Sequence, residues 1–293
     1  MKPPPFAYHR PANIGEAVEI LESYEGDAKP LAGGQSLMPL LSLRLARPSA
    51  LVDINEIPEL MLKRFTHDEL IIGAMVRERA VETDSRIASR FAAIADAVPL
   101  IGHVGIRNRG TVGGSIAHGD PAAEWPALCL LFDATMEATG RRGKRSIGAN
   151  QFFQGFLTIA LEPDELLTAI RFPVPQSHTG TAFREITRRH GDYAIVGLGA
   201  LLEFGVDNQI TKARIALTGV SLAPVRAHAA EEFLTGKEYS SQLLEAAADA
   251  VADEMRPPTD LLGDGDYRRQ LCRVLTRRVL PLAAHRATSE DHK

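Results

Sequence analysis

Apolar positions Ile14, Val18 and Leu21 recur at helical spacing behind Asn13, with Glu16 three residues after it. That pairing is a capping box, so the pattern predicts a helix opening at residue 14. Pro30-Leu31-Ala32 reads as a short strand and Leu51-Val52-Asp53-Ile54 as a buried one. Between them, Leu37-Met38-Pro39-Leu40-Leu41 reads as a helix with Ser36 at its N-cap and Pro39 tolerated in the first turn. These elements make a small α/β unit over residues 1–57.

Residues 58–175 read as a second unit. Leu70-Ile71-Ile72-Gly73 is a short strand, and Thr83 caps a helix whose apolar face carries Ile87, Phe91, Ile94 and Val98. Pro121-Ala122-Ala123-Glu124-Trp125 starts another helix, with proline early and an acid in the first turn. Residues 136–139 and 145–147 flank Gly140-Arg141-Arg142-Gly143-Lys144 as a hairpin. Asn150 caps a short helix carrying Phe152, Phe153 and Phe156. In residues 176–287, β-like runs at 182–187, 194–204 and 210–220 precede helices at about 226–235, 240–255 and 266–286. Strands followed by helices imply an α+β layout, with helices against one face of an antiparallel sheet. The polar tail at 287–293 is expected to fray.

Apolar residues at 45% and charged residues at 24% place the chain among globular proteins. A formal charge of −4 offers no basic field for nucleic acid, and the clusters Arg141-Arg142 and Arg188-Arg189 lack interleaved aromatics. No run is long enough for a membrane span, and MKPPPFAYHRP lacks the apolar core of a secretory signal, so a cytoplasmic setting is expected. Cys129 and Cys272 lie in apolar runs and read as buried free thiols; two thiols cannot hold an iron–sulfur cluster. The nine histidines form no helical i, i+4 pair, so no metal site is expected. Gly197-Leu198-Gly199 begins like a dinucleotide fingerprint, but Leu202 breaks it and the run is strand-like, which reads as β packing.

Two glycine-rich segments carry the candidate chemistry. One is Leu31-Ala32-Gly33-Gly34-Gln35-Ser36-Leu37; the other is Thr111-Val112-Gly113-Gly114-Ser115. A Gly-Gly pair admits positive φ and close approach of a ligand to the backbone, and helix-opening amides favour an anion. Either segment alone is also ordinary turn chemistry. Together, each ending in a hydroxyl residue, they read as two halves of one pyrophosphate clamp. One helix N-terminus offers an anion only about 0.3–1 kcal/mol, so a dinucleotide needs more than one turn.

Around these segments the chain resembles the flavoprotein, or medium, subunits of the molybdenum hydroxylases of the carbon monoxide and xanthine dehydrogenase type. The stretches that carry the resemblance are LAGGQSLMPLLSLRLARPSALVDI at 31–54, GIRNRGTVGGSIAHGDPAAEWPAL at 105–128, ELLTAIRFPVP at 165–175 and REITRRHGDYAIVGLGALLEF at 184–204. The resemblance implies an α+β protein. Its first two units would be a two-part α/β FAD-binding domain of the PCMH type, and residues 176–287 a C-terminal flavoprotein domain.

It further implies non-covalent FAD, with its diphosphate on residues 32–36 and 111–115. Glu124 falls on an acidic position used for ribityl or ribose hydroxyls, although an acid there also suits the helix dipole. Asp120 is a second candidate, in a Gly-Asp-Pro sequence that is also turn chemistry. Tyr193 falls near the isoalloxazine ring, either covering it or sitting in the core. Arg184 stands where some relatives carry lysine, and Ile101 and Leu167 match apolar positions beside the cofactor that also suit a core. No side chain is expected to act as acid, base or nucleophile. The implied partners are an iron–sulfur small subunit and a molybdenum cofactor large subunit, in a dimer of heterotrimers. Electrons would leave the flavin for NAD, a quinone or oxygen. A stand-alone flavin- or nucleotide-binding protein on the same scaffold is the alternative.

Overall fold

Three sheets organise the chain, whose computed structural model describes residues 2–205 and 207–288. The first is parallel and three-stranded. It holds β1 (Ala7–His9), β2 (Ala28–Leu31) and β3 (Ala50–Asp53), with β3 in the middle. Helix α1 (Ile14–Ser23) buries Ala17, Val18 and Leu21 in the core that the sheet shares. Asn13 Oδ1 accepts from Glu16 N–H at 2.9 Å, while Glu16 Oε2 accepts from Ala12 N–H at 2.7 Å rather than from Asn13. Helix α2 (Leu37–Ser42) starts after Ser36, but the Ser36 side chain makes no cap bond. A capping side chain reaches back from extended backbone, and Ser36 is already helical at φ −100°, ψ −44°.

The second sheet is antiparallel, with β4 (Lys63–Phe65), β5 (Glu69–Gly73), β6 (Thr135–Gly140) and β7 (Gly143–Gly148). A small ribbon, β8 (Phe153–Gly155) with β9 (Thr158–Ile159), precedes its central strand β10 (Leu166–Pro173), giving the order β4-β5-β10-β6-β7. The hairpin of β6 and β7 is the one the sequence predicts. The same unit carries α3 (Glu78–Glu82), α4 (Ser85–Arg90), α5 (Ala92–Ala97), α6 (Val104–Arg107), α7 (Val112–His118), α8 (Glu124–Phe132) and α9 (Ala149–Phe152); α7 and α8 pack on its central strand and α9 on the hairpin.

Three local expectations are corrected here. The single helix expected after Thr83 is two, broken at Phe91 (φ −130°, ψ 62°), and Asp84 rather than Thr83 caps the first. Thr83 instead donates to Arg79 O at 3.0 Å. The break still leaves Ile87, Phe91, Ile94 and Val98 buried, with the Phe91 ring 5.3 Å from that of Phe132. The helix expected from Pro121 starts at Glu124, because Asp120 Oδ1 takes the Ala122 N–H at 2.8 Å and closes a turn first. Asn150 lies inside α9, and the chain turns extended at Phe153.

The third sheet is antiparallel, in the order β11 (Thr179–Ile186), β12 (Val196–Phe204), β13 (Ile210–Thr218), β14 (Val225–Arg226). Helices α10 (His228–Leu234), α11 (Ser241–Glu254) and α12 (Gly265–Thr288) follow it. β12 is buried along nearly its whole length because α12 covers one face while α8 packs on the other. That is why an antiparallel strand reads as a continuous apolar run. Gly199 packs there: a Cβ on it would stand 2.9 Å from Leu131 Cδ2. Of the tail expected to fray, Ala287 and Thr288 close α12, and residues 289–293 lie outside the described residues.

Polar anchors join the third sheet to the rest. Thr218 Oγ1 faces Pro121 O at 2.5 Å and Ala123 O at 2.9 Å, which fixes the start of α8. Arg286 grips Asp96 with both terminal nitrogens, at 2.6 and 3.0 Å.

Candidate functional site

The two glycine segments meet at one end of a cleft of about 690 Å³. The first turns through Gly34 at φ +73°. The backbone N–H groups of residues 33–36 bond to no described residue, while Gln35 Nε2 donates back to Gly33 O at 2.9 Å. Asn55 Nδ2 holds the turn from below through Leu31 O (3.1 Å) and Ala32 O (2.9 Å). Arg77 donates to Asn55 Oδ1 at 2.7 Å and also to Arg109 O, so it ties one segment to the other. Asn55 and Arg77 are functional supports that sequence reasoning missed; their role rests on partners scattered along the chain.

The second segment is built differently, and this corrects the symmetrical clamp. Gly113 and Gly114 do not adopt positive φ; both lie in α7. Their amides are already engaged, Gly113 N–H with Ala74 O (2.9 Å) and Gly114 N–H with Thr111 Oγ1 (3.0 Å). Val112 N–H bonds Val76 O and Ser115 N–H bonds Thr111 O, both at 3.0 Å. These glycines exist for close packing. A Cβ on Gly113 would stand 2.5 Å from Ala74 Cα, and one on Gly114 would stand 2.6 Å from Thr111 Oγ1. What this side presents to the cleft is hydroxyl groups, those of Thr111 and Ser115.

Of the candidates named from sequence, Ala32, Gly33, Gly34, Gln35, Ser36 and Leu37 line the cleft, as do Thr111, Gly113, Gly114 and Ser115. Ile101, Glu124, Leu167 and Tyr193 complete its walls. Four candidates are not part of the lining. Leu31 ends β2, with its carbonyl turned to Ile54 N–H and Asn55. Val112 is buried in the core under α7. Asp120 serves the turn before α8. Arg184 is paired with Asp96 of α5, at 3.1 Å. The lining also contains Glu78, His118, Leu157, Ile159 and Leu161, which no local motif marks.

Acids dominate the electrostatics. Glu124 is 4% exposed, and burial holds its carboxyl well above the ordinary range, helped by the nearby charges of Glu185, Glu78 and Asp120. Burial pushes Glu78 up to about 7 against the opposing effects of Trp125 and Arg107. The Tyr193 ring is half exposed at the mouth, yet its hydroxyl is pushed up to about 12 by desolvation and then by Asp120, with Ser36 opposing. Tyr193 therefore spans from the third-sheet side of the cleft to the first glycine segment.

Chemically, the cleft combines open amides and hydroxyls at one end, an apolar stretch of Leu37, Ile101, Leu157, Ile159 and Leu167, and a buried acid. Open amides suit phosphate oxygens, apolar walls suit a flat ring, and a carboxyl suits sugar hydroxyls.

The family model described as "FAD binding domain in molybdopterin dehydrogenase" matches residues 4–175, and that of the "CO dehydrogenase flavoprotein C-terminal domain" matches residues 181–283. The carbon monoxide dehydrogenase medium chain of Hydrogenophaga pseudoflava is 38% identical over 97% of this chain and 98% of its own length. The caffeine dehydrogenase subunit beta of Pseudomonas sp. (strain CBB1) is also 38% identical, over 100% of this chain and 99% of its own. Among solved structures, the Hydrogenophaga pseudoflava carbon monoxide dehydrogenase superposes with a TM-score of 0.94 at 40% identity, covering 98% of this chain and 99% of the other. The quinoline 2-oxidoreductase of Pseudomonas putida 86 gives 0.93 at 36% identity, covering 99% and 100%.

Proposed function

This chain belongs to the FAD-binding medium subunits of the molybdenum hydroxylases, and from that premise we propose that it relays electrons within a multi-subunit oxidoreductase. In this reading an iron–sulfur small subunit delivers electrons that a molybdenum-bearing large subunit takes from substrate. The acceptor is NAD, a quinone or oxygen, and the complex is a cytoplasmic dimer of heterotrimers. Two free buried cysteines agree with a reducing setting.

The observation that carries the reading is the row of four open amides at residues 33–36, set against the Thr111 and Ser115 hydroxyls in one cleft. A diphosphate satisfies donors that the protein leaves without partners. FAD supplies the redox chemistry when bound. The chain's own residues would then bind and orient it: Glu124 would meet a ribityl or ribose hydroxyl, Ile101 and Leu167 would flank the ring, and Tyr193 would lie against it. The FAD-binding parts are assigned to residues 1–57 and 58–175, and the third sheet with its helices to residues 176–287.

The test is reconstitution. The isolated chain should take up FAD and be reduced by dithionite but not by an organic substrate. Adding the iron–sulfur and molybdenum chains should restore substrate-driven reduction. FAD uptake with no functional coupling to such chains would support a stand-alone flavoprotein instead, and substrate-driven reduction of the isolated chain would end the subunit reading.

A further inference from the structure

Glu124 lines the cleft, and a second acid, Glu185, lies behind it. Glu185 sits opposite Gly197 in the pairing of β11 with β12, and Gly197 sits opposite Thr218 in the pairing of β12 with β13. Position 197 carries no side chain, and a Cβ there would stand 2.6 Å from Thr218 Cγ2 and 3.5 Å from Glu185 Cβ. Glu185 alternates with Phe183 on the sheet face that packs against α8. At the far end of the row, Thr218 Oγ1 holds Ala123 O, the residue immediately before Glu124. The sheet register therefore brings Glu185 to the foot of α8, beside Glu124.

Neither carboxyl forms an ion pair with a cation among the described residues. Glu185 Oε2 is sealed from solvent with no hydrogen-bond partner among the described residues, and the Glu124 carboxyl receives a bond from its own N–H. Arg184, the basic neighbour of Glu185 in sequence, is committed to Asp96. Other charged or titratable groups facing the pair are Glu78 from α3, Asp120 from the turn before α8, and Tyr193 from the loop before β12. Those three are acidic; Arg107, which acts on Glu78, is bound to Glu82, and His118 of α7 lines the same cleft. Two desolvated carboxylates side by side repel, and one retained proton relieves both repulsion and burial.

We propose that Glu124 and Glu185 work as one carboxyl pair holding a single shared proton at neutral pH, so that Glu185 keeps Glu124 able to donate a hydrogen bond to an oxygen of the ligand in the cleft. Glu185 is thus a positioning residue acting through Glu124. The protonation half of the inference stands on the sheet geometry; the ligand half rests on the FAD reading above. The result inverts the simple expectation for Glu124, since a shared proton makes it a donor as well as an acceptor.

Infrared difference spectra of the full chain, titrated from acid to alkaline pH, test the pair without any cofactor. A protonated-carboxyl carbonyl band should persist at neutral pH. Glu185→Gln should move the midpoint of its loss downward by about one pH unit or more, and Glu124→Gln should do the same to the remaining Glu185 band. Bands that titrate at the same pH in the wild type and both variants would overturn the pair. The second arm measures FAD affinity of the apo chain across the same range. Affinity should fall as the shared proton is lost, and Glu185→Gln should move that fall to lower pH. Identical pH profiles would overturn the donor role. If Gly34→Val also binds FAD like the wild type, it is the FAD site that has failed, while the infrared result still decides the pair. Circular dichroism of each isosteric variant establishes that the fold is retained.

Discussion

Gly33 and Arg109 sit against each other across the base of the cleft: any Cβ on Gly33 would collide with the Arg109 carbonyl oxygen and stand 2.9 Å from Gly110 Cα. The same carbonyl accepts a hydrogen bond from Arg77. Two glycine segments far apart in sequence are therefore fused into one floor, with Arg77 and Asn55 as the bracket. Packing, rather than backbone freedom, demands a glycine at position 33.

Gly33→Ala and Gly113→Ala should each destabilise the protein, because the obstructing atoms include backbone of Arg109 and Ala74, which cannot swing aside. Overpacking of this kind costs about 1–3 kcal/mol. Gly34→Ala meets only side chains, at 3.2 Å from Met38 Cγ and 3.4 Å from Leu31 Cδ1, and pays mainly for its φ of +73°. Its cost should be nearer ~1 kcal/mol. Urea denaturation ranks the three; a Gly34 variant weaker than both others would contradict the packing argument.

Arg107 should hold the wall that carries Ile101 and Gly102. It is 4% exposed, pairs with both Glu82 oxygens at 2.8 and 2.9 Å, and donates to the Ile101 and Gly102 carbonyls at 2.9 and 3.1 Å. Arg107→Met leaves half-buried Glu82 with Arg79 as its remaining partner and strips the Ile101 and Gly102 carbonyls of their donor, a loss of about 1–3 kcal/mol. Amide hydrogen exchange should accelerate across residues 101–110 before the rest of the chain. Adding Glu82→Gln should recover part of the loss.

Glu78 gives the apo chain a pH-dependent stability. Its value in the folded protein, about 7, stands above its ordinary 4.5. Its contribution is thus fully present below the ordinary value and lost as pH rises through about 7. Glu78→Gln should flatten that decline and be more stable than the wild type above neutrality, by roughly 1–3 kcal/mol. Denaturation curves at several pH values decide it, and parallel profiles for the two proteins would refute the assignment.

Arg268 should control the segment bearing Tyr193. Buried at 2% exposure, it donates to Ile195 O at 2.5 Å, Gly219 O at 2.7 Å and Asp260 at 2.6 Å. Arg268→Leu leaves two buried carbonyls unpaired, about 1–3 kcal/mol each. In the FAD-loaded chain, the flavin absorbance and fluorescence should change in Arg268→Leu in the same direction as in Tyr193→Ala. Tyr193→Phe keeps the ring face and should change them less.

The amino-acid sequence by itself determined the elements whose causes are local. Asn13 accepting from Glu16, the β6–β7 hairpin around Arg141-Arg142, and the strand-then-helix order from β11 to α12 all follow from neighbours a few residues apart. It also marked the two glycine segments. Tertiary structure alone decided what those segments offer. Residues 33–36 keep open amides because nothing reaches them, whereas the amides of Val112 and Gly113 are closed by Val76 and Ala74. The break at Phe91, and the acid pair formed when β-sheet register carries Glu185 to Glu124, have the same origin. Periodicity records which face of an element is apolar; hydrogen-bond saturation and desolvation depend on atoms that only folding brings near.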